Sequence, residues 1–312
     1  MSNEVLLLST IKIKELSTHY ANNRIERNAP GVVFAAKLSD TSITIYTSGK
    51  VLFQGSGATR EAKRWGTTQQ KAEKKVSSTK GDILPEGFAN KSVLGSDETG
   101  TGDFFGPITV AACYVPADKI ELIQYLGVKD SKMLTDDIMR KIAPDLKKSL
   151  TNSILVLGNE KYNTVQAKGW SQGKIKALLH NQALKNVLKK IHPVHPEFIL
   201  IDQFAERGIY YNHIKEEKDI IRENVLFSTK AEQLHVSVAA ASILARVAFL
   251  DAMDKLSQQV GLTLPKGASF KVDEVAAKIF LSKGEEYLTS ITKKHFANTG
   301  KALVIANKKK GI

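Results

Sequence analysis

Two adjacent carboxylates followed by closely spaced glycines constrain this chain more than any other feature. Asp97 and Glu98 end one apolar run, and residues 100–107, with three glycines, lead into a second apolar run that begins at Ile108. This order predicts a β-hairpin with an acidic tip. Adjacent residues on a regular strand point to opposite faces, so the two carboxylates can share a site only where the strand ends or bulges. A solvated turn also favours Asp and Gly, and this segment alone leaves that alternative open.

The glycines after the acidic pair have a possible role in binding. Glycine has no Cβ to keep a ligand away from the main chain, so Gly100 and Gly102 could present backbone groups to a hydroxyl or a phosphate. The order Asp-Glu, Gly-Thr-Gly, Phe-Gly-Pro resembles the first active-site motif of the type 2 ribonucleases H. In that family the carboxylates hold divalent metal and the tripeptide reads the ribose 2′-hydroxyl. The tripeptide Gly100, Thr101, Gly102 is similar to the version found in the ribonuclease HIII branch, and the resemblance implies that it binds substrate.

Three further segments match the family's motifs in the same order. They are the Asp-Ser-Lys at 130–132, an apolar strand that ends in Asp202, and a Thr-Lys-Ala-Glu segment that ends in Glu232. The resemblance therefore covers roughly 91–312 and implies an α/β fold, a ribonuclease H-like domain with a central mixed sheet flanked by helices. It implies four catalytic carboxylates, of which the first three bind metal, and one lysine that contacts phosphate: Asp97, Glu98, Asp202, Glu232 and Lys132.

The carboxylates suit hard divalent cations. Mg²⁺ and Mn²⁺ favour oxygen ligands, and two such ions can activate water and stabilise the charge of a phosphodiester displacement. The resemblance implies two Mg²⁺ or Mn²⁺ ions. The identity of the fourth carboxylate stays open at this point. Glu232 stands where ribonuclease HII has Asp, whereas Glu206 would share a helical face with Asp202 if a helix began at Asp202. Lys132 also has an alternative as an ordinary exposed lysine.

The charge balance indicates an anionic partner. The 312 residues carry a formal net charge of +13, which favours nucleic acid, and the resemblance specifies an RNA–DNA hybrid. The single cysteine, Cys113, excludes an intramolecular disulfide and suits a reducing compartment. The apolar run near the N-terminus is too short for a signal core or a membrane span. We therefore expect a cytoplasmic protein with no membrane association. We also expect a monomer, which is the default for an enzyme that wraps a duplex.

The first 80 residues predict a small α+β domain. Ser9 can cap a helix, three antiparallel strands are expected between residues 31 and 54, and a basic helix is expected at 57–76. The segment 47–55 is similar to one repeat of the TATA-binding protein, and such a module is known as an attachment of ribonuclease HIII. The similarity implies a TATA-binding-protein-like domain at 1–80 that holds a nucleic-acid duplex.

The rest of the chain is expected to form the catalytic domain. Turn-forming residues predict a linker at 81–90, followed by the catalytic domain at 91–312. The lysines at 308–310 are expected to form a frayed tail. Apolar patterns predict helices at 136–149, at 172–191 and from Val272, strands at 154–157 and 198–201, and a buried central helix at 236–256.

The resulting hypothesis is an endonuclease that cuts the RNA strand of a hybrid and leaves 5′-phosphate and 3′-hydroxyl ends, as the resemblance implies. A related alternative is an enzyme like ribonuclease HII that cuts at a single ribonucleotide in DNA. An alternative from another class is a hybrid-binding protein without catalysis, which would have little reason to hold several carboxylates beside phosphate. A promoter-binding factor, suggested by the N-terminal domain alone, is the weakest alternative.

Overall fold

The computed structural model describes two compact units, one within residues 1–78 and the other within 79–312. The described residues are 2–27, 32–47, 49–66, 81–128 and 134–310.

The first unit is a four-stranded antiparallel sheet with two helices, in the strand order β1-β4-β3-β2. The three expected strands and the first helix are confirmed. A fourth strand, β1, was missed because its polar start and unbroken leucine run lack the alternation of a half-buried strand. Of the helix expected at 57–76, residues 67–76 lie outside the described residues. The elements are β1 (Ser2–Leu7), α1 (Thr10–His19), β2 (Val32–Lys37), β3 (Thr41–Tyr46), β4 (Lys50–Gly55) and α2 (Ala58–Trp65).

The second unit contains a five-stranded mixed sheet in the order β7-β6-β5-β8-β9. Strand β5 pairs antiparallel with β6 and parallel with β8, so it lies at the centre of the sheet. The expected hairpin and the expected mixed sheet are confirmed. The strands are β5 (Val93–Thr99), β6 (Ile108–Val115), β7 (Thr151–Leu157), β8 (Phe198–Asp202) and β9 (Val225–Ser228).

Helices cover this sheet, and the predicted ones are confirmed with small changes in their bounds. Helix α9 is interrupted at Gly284, where φ is 85°. The expectation of a frayed lysine tail was wrong, because helix α10 extends to Lys310. The helices are α3 (Ile120–Tyr125), α4 (Asp136–Ser149), α5 (Asn159–Ala167), α6 (Gln172–Ile191), α7 (Arg207–His213), α8 (Val236–Val260), α9 (Phe270–Ile291) and α10 (Asn298–Lys310).

The two faces of the sheet pack against different helices. On β6, Val110 and Ala112 belong to the cluster that contains α6, whereas Ala111 and Cys113 belong to the cluster that contains α8. Helix α8 is long and apolar enough to span a membrane by composition, yet 67% of its apolar stretch is buried inside the structure. It is therefore the core helix that the small-residue pattern predicts.

Residues 81–90, expected as a linker, belong to the second unit and pack against the rest of it. Gly81 forms a β-bridge with Ser228. The Asp82 carboxylate accepts hydrogen bonds from the Phe227 N–H at 2.7 Å and from Arg207 at 2.5 Å. Phe88 is buried. The turn-forming composition of this segment therefore reflects an irregular but packed chain.

The close contact between α8 and β5 leads to a stability prediction. A Cβ on Gly95 would lie 2.5 Å from Ser237 Oγ and 2.5 Å from Val238 N. Since overpacking costs about 1–3 kcal/mol, Gly95→Ala should lower the free energy of unfolding by that order in urea. The matched control is Gly208→Ala within α7, where an added Cβ meets no atom within 4 Å. Equal stability of the two variants would contradict the tight packing of α8 on β5.

Candidate active site

A cleft of about 490 Å³ lies where β5 and β8 end. It brings together all the predicted site residues except Lys132, which lies outside the described residues. Helices α4 and α8 complete its walls. The lining consists of the four predicted carboxylates, residues 99–103, and Leu134, Asp136, Met139, Ser242 and Arg246.

The acidic pair lies inside the regular part of β5 and not at a break in it. Asp97 pairs with Ala111 and Glu98 with Val110, and the ladder continues to Thr99. Strand β5 ends at Thr99, one residue after the pair, so the strand end that was expected to let both carboxylates share a site is confirmed. The two side chains do point to opposite faces, towards α8 and α6 respectively. Both reach the cleft because the sheet ends there.

Asp97 faces α8 in a buried, negatively charged environment. Its Oδ1 accepts a hydrogen bond of 2.7 Å from the Glu98 N–H, and its carboxylate also accepts one from Ser242. Burial raises the pKa of Asp97 well above its usual value, and the charges of Asp202 and Glu98 raise it further. A bound cation would offset both effects.

Glu98 faces α6 and is held there by two nitrogen donors. Lys176 Nζ lies 2.9 Å from Oε1, and His180 Nε2 lies 2.9 Å from Oε2. The other ring nitrogen of His180 lies 2.8 Å from Ser96 Oγ. Burial alone would raise the pKa of Glu98, but the hydrogen bond and charge of His180, together with Lys176, lower it below its usual value. Glu98 is therefore kept ionised.

Asp202 ends β8, and Glu232 lies beside it. Asp202 Oδ1 accepts a hydrogen bond of 2.8 Å from the Ala231 N–H. Burial and the charges of Glu232 and Glu98 raise the pKa of Asp202 to about 6, against the opposing effect of that N–H. Glu232 is 6% exposed and lines the cleft, whereas Glu206 is exposed at the start of α7. The structure thus brings Glu232, and not Glu206, to the other carboxylates.

The glycine tripeptide forms the floor of the cleft, and its two glycines differ. At Gly100, φ is 93° and an added Cβ would lie 2.2 Å from the Pro107 carbonyl oxygen and 3.0 Å from the Phe249 ring. At Gly102, which is exposed, an added Cβ would meet no atom within 4 Å. Gly100 is therefore required by the fold, and Gly102 leaves open space at the cleft.

The loop that follows the tripeptide is held by a buried lysine. Lys293 is 0% exposed, and its Nζ donates hydrogen bonds of 2.7 Å to the carbonyl oxygens of both Asp103 and Gly106. Asp103 Oδ1 accepts a further bond of 2.6 Å from the Gly267 N–H. No local pattern in the sequence indicates this role, because Lys293 stands in a generally basic stretch.

The opposite wall of the cleft carries an ion-pair cluster. Asp136 accepts two bonds from Arg246, of 2.9 and 3.2 Å, and one of 2.6 Å from Lys266. The hydrogen bonds from Arg246 chiefly, and then Lys266, lower the pKa of Asp136 to about 2. This cluster leaves two cationic side chains at the edge of the cleft.

The donor set fits a hard divalent cation. All four predicted catalytic residues offer carboxylate oxygens, and burial concentrates their negative charge. Among the described residues no group of three or more His, Cys, Asp and Glu side chains already forms a metal cage. Both oxygens of Glu98 are engaged by α6. Each of these oxygens keeps a second lone pair, so metal held by Asp97, Glu98 and Asp202 would take many of its remaining ligands from water.

The chain is similar to known proteins over nearly its whole length. A family model described as Ribonuclease HII matches residues 94–299, and one described as a domain of unknown function (DUF3378) matches residues 3–78. Ribonuclease HIII of Lysinibacillus sphaericus (strain C3-41) is 65% identical over 97% of this chain and 99% of its own length. Ribonuclease HIII of Bacillus subtilis (strain 168) is 51% identical over 99% of this chain and 100% of its own length.

Solved structures show the same similarity. Bst-RNase HIII in complex with Mn²⁺ is 45% identical, with a TM-score of 0.70, and the match covers 98% of this chain and 100% of that chain. Ribonuclease H2 from Pyrococcus horikoshii OT3 is 23% identical, with a TM-score of 0.57, and covers 71% of this chain and 100% of that chain. At this level of identity, the similarity to ribonuclease H2 shows a shared fold only.

The buried Lys293 should make the free energy of unfolding depend on pH. Burial lowers its pKa from 10.5 to about 8 in the folded protein. Between these values the unfolded state binds more protons, so the contribution of Lys293 to the free energy of unfolding increases as pH rises from about 8 to 10.5. Relative to Lys293→Met, wild type should gain about 1–3 kcal/mol across that window. Urea unfolding of both proteins at pH 7.5 and 10.5 measures this, and a constant difference would contradict it.

Proposed function

Since this chain belongs to the ribonuclease HIII family and is therefore a ribonuclease H, we propose that it hydrolyses the RNA strand of RNA–DNA hybrids. The cut is internal and leaves a 5′-phosphate and a 3′-hydroxyl end. The observation that carries the proposal is the convergence of Asp97, Asp202 and Glu232 in one cleft beside an exposed glycine tripeptide. The charge of +13 supports a polyanionic substrate.

We propose Mg²⁺ or Mn²⁺, two ions per site, held by Asp97, Glu98 and Asp202. The all-oxygen donor set supports this choice, as does the Mn²⁺ complex of Bst-RNase HIII. When bound, such ions activate the attacking water and stabilise the charge that develops on the phosphate. The described residues supply no ready-made cage, which is compatible with Mg²⁺ because this ion usually keeps several waters.

Hydrogen bonds from the protein orient three of the carboxylates for metal binding. The Ala231 N–H orients Asp202, the Ser242 hydroxyl orients Asp97, and Lys176 with His180 orient Glu98. We assign Glu232 as the fourth catalytic carboxylate because it is buried at the cleft next to Asp202. Such preorganisation limits the rearrangement needed on binding metal and substrate.

The tripeptide Gly100, Thr101, Gly102 is proposed to contact the ribose 2′-hydroxyl. The open space at Gly102 supports close approach of a sugar-phosphate backbone to the main chain. Recognition of a hydroxyl and of duplex shape makes cleavage independent of base sequence. Lys132 remains a predicted phosphate contact. Binding should weaken with salt because phosphate contacts release counterions.

The N-terminal unit suits a role in substrate binding. We propose that the first unit, with its open four-stranded sheet and basic helix α2, holds the duplex. We also propose a monomer that works in the cytoplasm without membrane association. The single buried thiol of Cys113 supports a reducing compartment.

The decisive experiment compares two substrates and two proteins. A uniform RNA–DNA hybrid and a DNA duplex with one ribonucleotide are incubated with wild type and Asp97→Asn in Mg²⁺ or Mn²⁺. Wild type should cut the hybrid rapidly and the single-ribonucleotide duplex poorly. Asparagine keeps the shape of Asp97 but removes the charge that holds metal, so cleavage should fall by more than about 100-fold, beyond the loss typical of an outer-shell partner.

Two other outcomes would change the assignment. Preferred cleavage of the single-ribonucleotide duplex would favour an activity like that of ribonuclease HII. Tight binding of the hybrid by wild type with no cleavage in either metal would mean that the chain is a hybrid-binding protein.

The two glycines of the tripeptide should respond differently to alanine. Gly100→Ala introduces a clash with the Pro107 carbonyl and should lower stability together with activity. Gly102→Ala meets no protein atom, so its thermal unfolding should match wild type, whereas its KM for hybrid should rise by about tenfold as the methyl group occupies the substrate's space. Steady-state kinetics and thermal unfolding of both variants test this, and an unchanged KM for Gly102→Ala would refute close approach at that residue.

A further inference from the structure

The first residue of α6 contacts the middle of the glycine tripeptide. Gln172 Nε2 donates a hydrogen bond of 3.0 Å to the Thr101 carbonyl oxygen and lies 3.4 Å from the Tyr162 hydroxyl. Gln172 is half-buried, and Tyr162 is fully buried in the core next to α6. The amide is therefore held on one side by the core and reaches the tripeptide on the other.

The tripeptide forms a tight turn whose central peptide can adopt two orientations. Asp103 N–H donates to the Gly100 carbonyl oxygen at 3.4 Å, which defines a four-residue turn with Thr101 and Gly102 at its centre. Type I and type II turns differ by a flip of that central peptide, and glycine at the third position allows both. Gly102 lacks the positive φ that type II requires. The hydrogen bond from Gln172 to Thr101 holds this peptide in the observed orientation.

The orientation of the Thr101–Gly102 peptide determines the direction in which the Gly102 N–H points. In a trans peptide the carbonyl and the N–H point in opposite directions, so holding the Thr101 carbonyl towards Gln172 directs the Gly102 N–H away from α6. Gly102 lines the cleft and is exposed. Among the described residues, no backbone carbonyl accepts a hydrogen bond from its N–H. The donor is available to a substrate.

We propose that Gln172 is a specificity-determining positioning residue, which fixes the Thr101–Gly102 peptide so that the Gly102 N–H meets the 2′-hydroxyl of the RNA strand. This inference rests on the proposed function, because it assumes that the tripeptide reads ribose. Gln172 acts through the main chain of the tripeptide and does not itself touch the substrate.

The neighbouring parts of the loop are held by other groups, so the effect of Gln172 is local. Lys293 holds the carbonyls of Asp103 and Gly106, and the fold holds Gly100 against Pro107. The central peptide, in contrast, receives its hydrogen bond from Gln172. Loss of that bond therefore frees one peptide to flip and leaves the rest of the site in place.

The test measures binding without catalysis. Fluorescence anisotropy in EDTA gives the dissociation constants of an RNA–DNA hybrid and of a DNA duplex of the same sequence, at one salt concentration. The variants are Gln172→Met, which keeps the side-chain length but removes the donor, and Gln172→Ala. The control is Gln182→Ala on the same helix, where the exposed Gln182 amide donates to the side-chain oxygen of Asn186. Thermal unfolding checks that all variants fold.

The expected result is a loss of discrimination. Both Gln172 variants should bind the hybrid about three- to tenfold more weakly, the range expected for one hydrogen bond, and bind the DNA duplex as wild type does. Replacing the riboses next to the cleavage site with deoxyribose should weaken wild-type binding but have a smaller effect in the variants, because the two changes remove the same contact. Gln182→Ala should match wild type in each measurement.

Other results overturn the inference in distinguishable ways. If wild type prefers and cuts the hybrid but both Gln172 variants keep the full preference, Gln172 does not set specificity and the proposed function stands. The same conclusion follows if the variants lose affinity for hybrid and DNA equally. If wild type itself fails to distinguish hybrid from DNA in binding and in cleavage, the inference and the proposed function fall together.

Discussion

The concentration of buried negative charge at one end of a β-sheet is the constraint on which the rest of the site depends. Asp97 and Glu232 are buried and Asp202 is half-buried, and the three carboxylates are close enough for their charges to interact. Removing carboxylates from water and placing them together both oppose ionisation. The fold compensates with directed hydrogen bonds and leaves the remaining negative charge facing an open cleft. Such an arrangement is costly without a cation and favourable with one.

Adjacent side chains of β5 point to opposite faces of the sheet, so Asp97 and Glu98 receive their stabilising hydrogen bonds from two different helices. Glu98 turns towards α6, which brings a lysine and a histidine to its two oxygens. Asp97 turns towards α8, which brings a hydroxyl and otherwise small apolar residues. The two neighbouring carboxylates thus acquire opposite shifts of their pKa values, although they are adjacent in the chain. The small residues of α8 allow this, because the helix begins in contact with Gly95 and any bulkier interface would move Asp97 away from Asp202.

Local patterns were sufficient for most of the fold, whereas the carboxylates were located through the family resemblance. The alternating and β-branched runs predicted the central hairpin, and the small-residue stretch predicted the buried helix α8. Strand β1 was missed because its pairing with β4, nearly 50 residues later in the chain, supplies a stability that its own pattern does not reveal. Asp97 and Glu98 share one cleft because β5 ends at Thr99, as was expected for two adjacent carboxylates on a strand.

The residues that support the site could not be found from local sequence. Lys176 meets Glu98 from 78 positions away, and Lys293 meets Asp103 from 190 positions away. Their types are common on protein surfaces, so only the fold distinguishes them from solvated lysines. One signal was present: Gln172, Lys176 and His180 stand at four-residue spacing and form a polar stripe on α6. A polar stripe that continues into a buried histidine indicates a polar partner inside the protein.

That stripe also explains how one helix can serve two tasks. On α6, Gln172 holds the tripeptide carbonyl, and Lys176 and His180 hold Glu98, so the helix spans from the tripeptide to the carboxylate cluster. A single rigid helix therefore fixes the distance between them. Because a 2′-hydroxyl is a small feature to recognise, the gain from reading it depends on the peptide being held within a fraction of an ångström of its productive position. A tripeptide held only by its own turn would retain the choice of two peptide orientations. Tying it to the helix that also holds Glu98 would link the proposed selection of ribose to the placement of the Glu98 carboxylate.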